Sequence, residues 1–212
     1  MKKFFFKWQV IVADTNELAI KFKITYDKYG NVPVDFEYVK NCLVIMVYKN
    51  SRLIGGEILN GGKYPFRYFE IFKNDEEKKA ILTNEGLDES SLMEITSIWH
   101  IKNLPILDKL IFFLITCWQA WMYAKKNHKI YIIGGSLIKK VQEKQMGVMK
   151  KLIVSMPIDT SVLNSKGETS GVAKIYGAKT KHFFSNVILA VLKELINLPL
   201  KSTLKLAHKL FF

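Results

Sequence analysis

Between Leu92 and Gly147 the chain spells out a strand, a long helix, a second strand and a short helix. Leu92 to Ile101, LMEITSIWHI, is rich in β-branched, aromatic and apolar residues, the composition of a strand. Asn103 is the expected N-cap of the next helix, with Pro105 in its first turn, where a missing N–H costs little. Leu110 to Ala124 carries no charge, which predicts a buried middle for that helix. Ile130 to Ile133 is a short apolar run stopped by Gly134 and Gly135. Ser136 is expected to cap the short helix, and Gly147 to end it. A strand, a crossover helix and a strand make a parallel βαβ unit, which admits few topologies. If its two strands splay at their ends, they leave a cleft open to both faces.

A chain of 212 residues, 49% hydrophobic and 24% charged, has the balance of a folded domain and not of a disordered one. Its 32 Lys and Arg against 19 Asp and Glu give +13, a charge that favours acidic partners. The lysines are spread along the chain without a nucleic-acid-binding motif, so nucleic acid is not an expected partner. Cys42 and Cys117 fall in apolar runs and read as reduced core residues. The opening MKKFFFKWQVIV is interrupted by Lys7 and Gln9 and leads to no small-residue cleavage site, so no secretory signal is expected. Leu110 to Ala124 is shorter than the ~20 residues that span a bilayer. The expectation from these readings is a cytoplasmic protein, with association at the inner face of the membrane left open.

Before this unit, Phe4 to Val12 reads as a strand, and Asp14 with Glu17 as the start of a helix running toward Gly30. Asn31 to Lys40 reads as a loop. Cys42 to Tyr48 and Leu53 to Leu59 read as a hairpin around Lys49–Arg52, with Gly55 and Gly56 interrupting its second strand. NGGKYPFRYF follows, then a short helix over Asp75 to Thr83. Val148 to Met156 and Gly171 to Tyr176 are the expected last strands. From Gly177 onward the chain is helical by pattern and basic, divided at Pro199. The organisation expected is a domain over 1–176 and a basic amphipathic tail over 177–212.

The order of elements resembles the GNAT superfamily of N-acyltransferases, and more narrowly the acyl-homoserine-lactone synthases. The hairpin NSRLIGGEIL with KYPF, the segment EITSIWHI, IYIIGGS with LIKKVQEKQMG, and MPIDTSVLNSKGETSGVAKI carry the likeness, over about Val10 to Tyr176. The resemblance implies an α/β, three-layer fold: a mixed, splayed central sheet flanked by helices, plus the C-terminal helical tail. It implies transfer of an acyl group from acyl-carrier protein or acyl-coenzyme A to a small amine. No permanently bound cofactor is implied, the thioester being a co-substrate. Where the synthases carry arginines, this chain has Glu57 and Ser97, and their early helix motif has no clean match over Lys21 to Tyr26. Those positions serve S-adenosylmethionine in that family, so another amine is at least as well supported; the N-acyl amino acid synthases are one such branch. IKNLPILD stands where coenzyme-A users carry a glycine loop.

N-acyl transfer needs a neutral amine, a thioester held in line and donors for the oxyanion. Glu94 is the candidate base, acting directly or through a water, with Ser97 and His100 beside it in the catalytic set. Strict alternation would put Glu94, Thr96, Ile98 and His100 on one face. Ile98, Trp99 and Ile101 are expected to line the acyl-pantetheine arm, their backbone pairing with it as an added strand would. Lys102 and the free amides of the helix start could hold a phosphate. Gly134, Gly135 and Ser136 stand where the second strand would meet the thioester. Glu143 takes roughly the position of a tyrosine acid in many acetyltransferases and reads as solvated. The histidines and cysteines show no metal-ligand spacing, and no nucleophilic serine elbow occurs. A second function class, a non-catalytic basic module on anionic membrane or nucleic acid, rests on the charge alone. The tail's apolar positions Leu200, Leu204, Ala207 and Phe211 alternate with Lys201, Lys205, His208 and Lys209, as in a helix lying on an anionic membrane, and equally as in one packing on the domain or on a second subunit.

Overall fold

The computed structural model describes residues 8–30, 32–158 and 169–197. The last expected helix, from Pro199, lies outside the described residues, as does the loop over 159–168. Seven strands form one sheet in the order β1-β2-β3-β4-β5-β7-β6. They are β1 (Trp8–Val12), β2 (Leu43–Lys49), β3 (Arg52–Asn60), β4 (Leu92–His100), β5 (Tyr131–Ile138), β6 (Lys151–Pro157) and β7 (Thr169–Lys179). Every pair is antiparallel except β4–β5, the two strands that the crossover helix joins.

Helices cover both faces. On one lie α1 (Asn16–Tyr29), α2 (Phe36–Asn41), the 3-10 turn Arg67–Ile71 and α3 (Asp75–Asn84). On the other lie α4 (Ile106–Lys126), α5 (Lys139–Met149) and α6 (Thr180–Ile196). Phe22, Val44, Met46 and Ile58 close the first core; Ile45, Leu59, Ile132, Ala120 and Phe183 close the second. The mixed, three-layer α/β architecture expected from the order of elements is the architecture found.

Several local expectations are corrected. The cap of α1 is Thr15, whose hydroxyl accepts from the Leu18 amide, one residue beyond Asp14. The segment expected as a loop contains α2, capped by Asp35. Asn103 does not cap α4, which starts after Pro105 without a side-chain cap. Ser136 lies inside β5, and α5 begins three residues later after Ile138. Gly147 is within α5; the left-handed residue that ends the helix is Lys150. The charge-free run of α4 buries only one face: Phe112, Thr116, Cys117, Ala120 and Ala124 point in, while Trp118 and Met122 point out. β7 passes Tyr176 and runs to Lys179, and α6 buries Phe183, Val187 and Val191 against the sheet side.

Candidate active site

β4 and β5 pair only at Leu92–Tyr131, Met93–Ile132 and Glu94–Ile133. Beyond that rung they part. β4 stays on β3, with a bulge in which Ser97 and Ile98 oppose Glu57 alone. Ser97 has φ 52°, the left-handed turn of that bulge. β5 stays on β7 through Ile138. The two strand edges between Ile95–His100 and Gly134–Ile138 therefore face an open fork.

The bulge decides which residues share a face. One extra residue shifts the alternation, so Glu94 and Thr96 are followed on their side by Trp99 and not by Ile98 or His100. Trp99 stacks on Tyr29 at 5.8 Å and meets Phe22 edge-on, in the core against α1. His100 turns to the opposite face, against Phe112 of α4, and its Nδ1 lies 2.8 Å from the Ile101 carbonyl. The expected grouping of His100 with Glu94 is thus corrected. Ile101 gives its amide to the Ile54 carbonyl at 2.9 Å, so it does not serve the fork. By the same alternation Ile98 and His100 turn their backbone N–H and C=O to the open edge.

Glu94 is completely buried. Its Oε2 accepts from the Tyr38 hydroxyl and, at 3.1 Å, from the Arg67 amide; its Oε1 accepts from the Tyr68 amide at 2.8 Å. The carboxylate caps the 3-10 turn, where free amides favour a negative charge. Burial raises its pKa, and the Tyr38, Tyr68 and Arg67 donors oppose the rise. Tyr38 in turn is held protonated, first by burial and then by the Glu94 charge. Both Glu94 oxygens are engaged by protein donors, so the near-isosteric exchange with Gln is not innocuous here.

Arg67 extends this cluster toward the opening. Its Nη1 donates to Ser97 Oγ at 3.1 Å and Thr96 Oγ1 at 3.4 Å, and its Nη2 to the Pro33 carbonyl. No carboxylate forms an ion pair with it among the described residues. Tyr68 lies between the strands: its hydroxyl donates to the Ile95 carbonyl of β4 at 3.1 Å and its ring packs against Gly135 of β5. Burial, then the Glu94 charge, pushes the Tyr68 hydroxyl up to about 12. From the opposite face Gln145 of α5 donates to the Gly135 carbonyl at 3.1 Å, and its Oε1 is buried without a partner.

Gly134 and Gly135 do line the fork, whereas Ser136 accepts from the Ile138 amide at 3.0 Å within β5. Lys102 is exposed in the turn before α4. The first turn of that helix already carries Asp108, paired with Lys49 at 2.6 Å, so its positive end has an anion of its own. Among the described residues no group of His, Cys, Asp and Glu could hold a metal ion. A cavity of about 450 Å³ lies elsewhere, lined by Gly61–Phe66, Glu89, Ser90 and Lys129. Sequence reasoning missed Tyr38, Arg67, Tyr68 and Gln145; the aromatic run KYPFRYF was the one visible signal for two of them.

No family model and no curated protein matches the sequence. Solved structures do match in fold. FeeM, an N-acyl amino acid synthase from uncultured soil microbes, is 14% identical, with a TM-score of 0.59 over 86% of this chain and 96% of its own. MesI, a CoA-dependent acyl-homoserine lactone synthase, is 11% identical, with a TM-score of 0.55 over 87% and 94%. The AHL synthase LasI is 8% identical, with a TM-score of 0.54 over 85% and 93%. The chain has the GNAT-like fold that these acyltransferases share.

Proposed function

We propose that the fork between β4 and β5 takes an acyl thioester and passes its acyl group to a small amine. The observation that carries this is the parting of the strands after Glu94–Ile133, directly beside the buried Glu94–Tyr38 pair and the half-buried Arg67 and Tyr68. An extended arm in the fork adds to β4 as a strand, pairing with the free backbone groups of Ile98 and His100. The amine attacks the thioester carbon, the C–N bond forms, the C–S bond breaks, and the sulfur leaves as a thiolate that takes its proton from solvent. The amine's proton passes through a water to the Glu94–Tyr38 pair, since direct approach to Glu94 is filled. Backbone amides on the open edge of β4 supply the oxyanion donors.

Acyl-carrier protein is the better-supported donor. The helix start lacks the glycine loop of coenzyme-A users and holds Asp108, while the +13 surface suits an acidic carrier. Arg67, whose guanidinium hydrogen-bonds only neutral acceptors, suits an acceptor amine that also bears a carboxylate. Acyl thioesters of both kinds are cytoplasmic, and the reading puts the protein there. The test is thiol release with a panel of acyl carriers, acyl-coenzymes and amines. Turnover with a carrier-bound donor that falls as salt rises is the expected result. No turnover and no thioester binding with any donor would sink the reading.

A further inference from the structure

The α4–α6 pair presents an apolar outer surface. On α4, Trp118 and Met122 point away from the core; on α6, Ile188, Leu189, Leu192 and Ile196 do. Phe184 joins the two rows, with its ring 5.0 Å from Trp118 and 5.5 Å from Trp121. The helical positions of these residues place them side by side on the outward arc. Ile196 is 81% exposed and Leu189 62%, values at which a leucine-sized side chain gains little from folding. α4 is long and apolar enough to cross a membrane, yet only 28% of its most apolar window is buried. A contiguous patch of this kind marks an interaction site.

We propose that this face seats on an anionic membrane surface, lying in the interface without spanning it. Charge selects this occupant over a second copy. The two helices carry Asp108 and Glu194 as their acids, and Asp108 is neutralised by Lys49. Against them stand Lys109, Lys125, Lys126, Lys181 and Lys193, and Lys125 lies over the Trp121 ring at 4.6 Å. Two copies of a +13 chain repel, whereas anionic headgroups attract it. Tryptophan beside lysine is the composition of a side chain set at headgroup depth. The chain leaves α6 at its most exposed apolar residue and enters residues 198–212, which hold Lys201, Lys205 and Lys209 and no acid. Leu200, Leu204, Ala207 and Phe211 recur in that sequence at helical spacing. The inference stands apart from the acyl-transfer reading, because it uses no residue of the fork.

The experiment is co-sedimentation of the full chain with phosphatidylcholine vesicles and with vesicles containing about one-quarter phosphatidylglycerol, at low and high salt. The expected result is binding to the anionic vesicles alone, weakened by salt. A full-length Leu189→Glu, Leu192→Glu variant should bind about tenfold or more weakly while melting as the parent does. Unchanged binding by that variant, or no binding by the parent, overturns the proposal. So does a dimer in light scattering that the variant dissolves, which would give the face to a second copy. Protection of Lys201, Lys205 and Lys209 from trypsin without vesicles would give it to the chain's own C-terminal segment and would equally overturn it.

Discussion

The Tyr68 ring fills the space that a side chain on Gly135 would need: a Cβ there would stand 2.7 Å from Cδ1 of the ring. The pair fixes where the fork ends, because the same tyrosine donates its hydroxyl to the Ile95 carbonyl on one strand and packs its ring on Gly135 of the other. Gly135→Ala should therefore cost about 1–3 kcal/mol of stability by overpacking. In a Tyr68→Ala background that penalty should shrink by about 1 kcal/mol or more, the sign of direct coupling. Denaturant melts of the four proteins in the cycle measure it. Additive costs would show that the two residues do not limit each other.

Glu94→Gln puts an amide NH2 where only acceptors fit, against either the Tyr68 amide or the Tyr38 hydroxyl and Arg67 amide. The variant should lose about 1–3 kcal/mol of stability from an unpaired donor. Its turnover should fall about 10²-fold or more if the proposed base role holds. Tyr38→Phe separates these roles. Removing the hydroxyl removes a donor that lowers the Glu94 pKa, so that pKa should rise further. The acidic limb of the rate profile should then move to higher pH, since Glu94 must ionise to act as a base. A limb that stays in place in a well-folded Tyr38→Phe protein would take Glu94 out of the chemistry and leave it a structural cap.

The layers of the fold were legible because hydrophobic runs report burial, and seven strands with their crossover helix announce themselves that way. The fork was legible from the strand–helix–strand order and the two glycines. The bulge at Ser97 was not: no glycine marks it, and one unannounced residue moved His100 and Ile98 to the other face. The caps were off by one to three residues because Thr15 competes with Asp14, and because β5 continues through Ser136 on its pairing with β7. Arg67 and Tyr68 come from a connecting segment whose place is fixed by the Glu94 cap, a contact across 26 and 27 positions that no local pattern encodes.

Glu57 sits fully buried on β3 opposite the bulge, and neither carboxyl oxygen finds a partner. Burial raises its pKa well above 4.5, and Cys117 of α4 is near enough to feel its charge. The folded chain thus keeps a proton that the unfolded chain gives up near pH 4.5. Stability contributed by this group is present below that pH and is lost as pH rises toward the folded pKa, by up to about 1.4 kcal/mol per unit. Glu57→Met, which fills the site without polar atoms, should remove that slope and be more stable at neutral pH. Melts of both proteins from pH 4 to 8 read the difference directly. Parallel curves would mean that Glu57 is paired in solution.

Arg67 is the residue on which the acceptor class turns. Its guanidinium is held by Ser97, Thr96 and Pro33, all neutral acceptors, at the polar side of the fork. That leaves further N–H donors of a charged group, with no direct ion pair among the described residues, for a bidentate anion. Arg67→Lys keeps a charge but loses the planar fork, and Arg67→Met loses both. With an amino acid as acceptor, each variant should raise KM by about tenfold or more, Met more than Lys, while kcat falls less. With the methyl ester of the same amino acid, the KM of parent and variants should lie close together. An equal loss on acid and ester would show that Arg67 only braces the bulge, and the acceptor's carboxylate would then have no partner in the site.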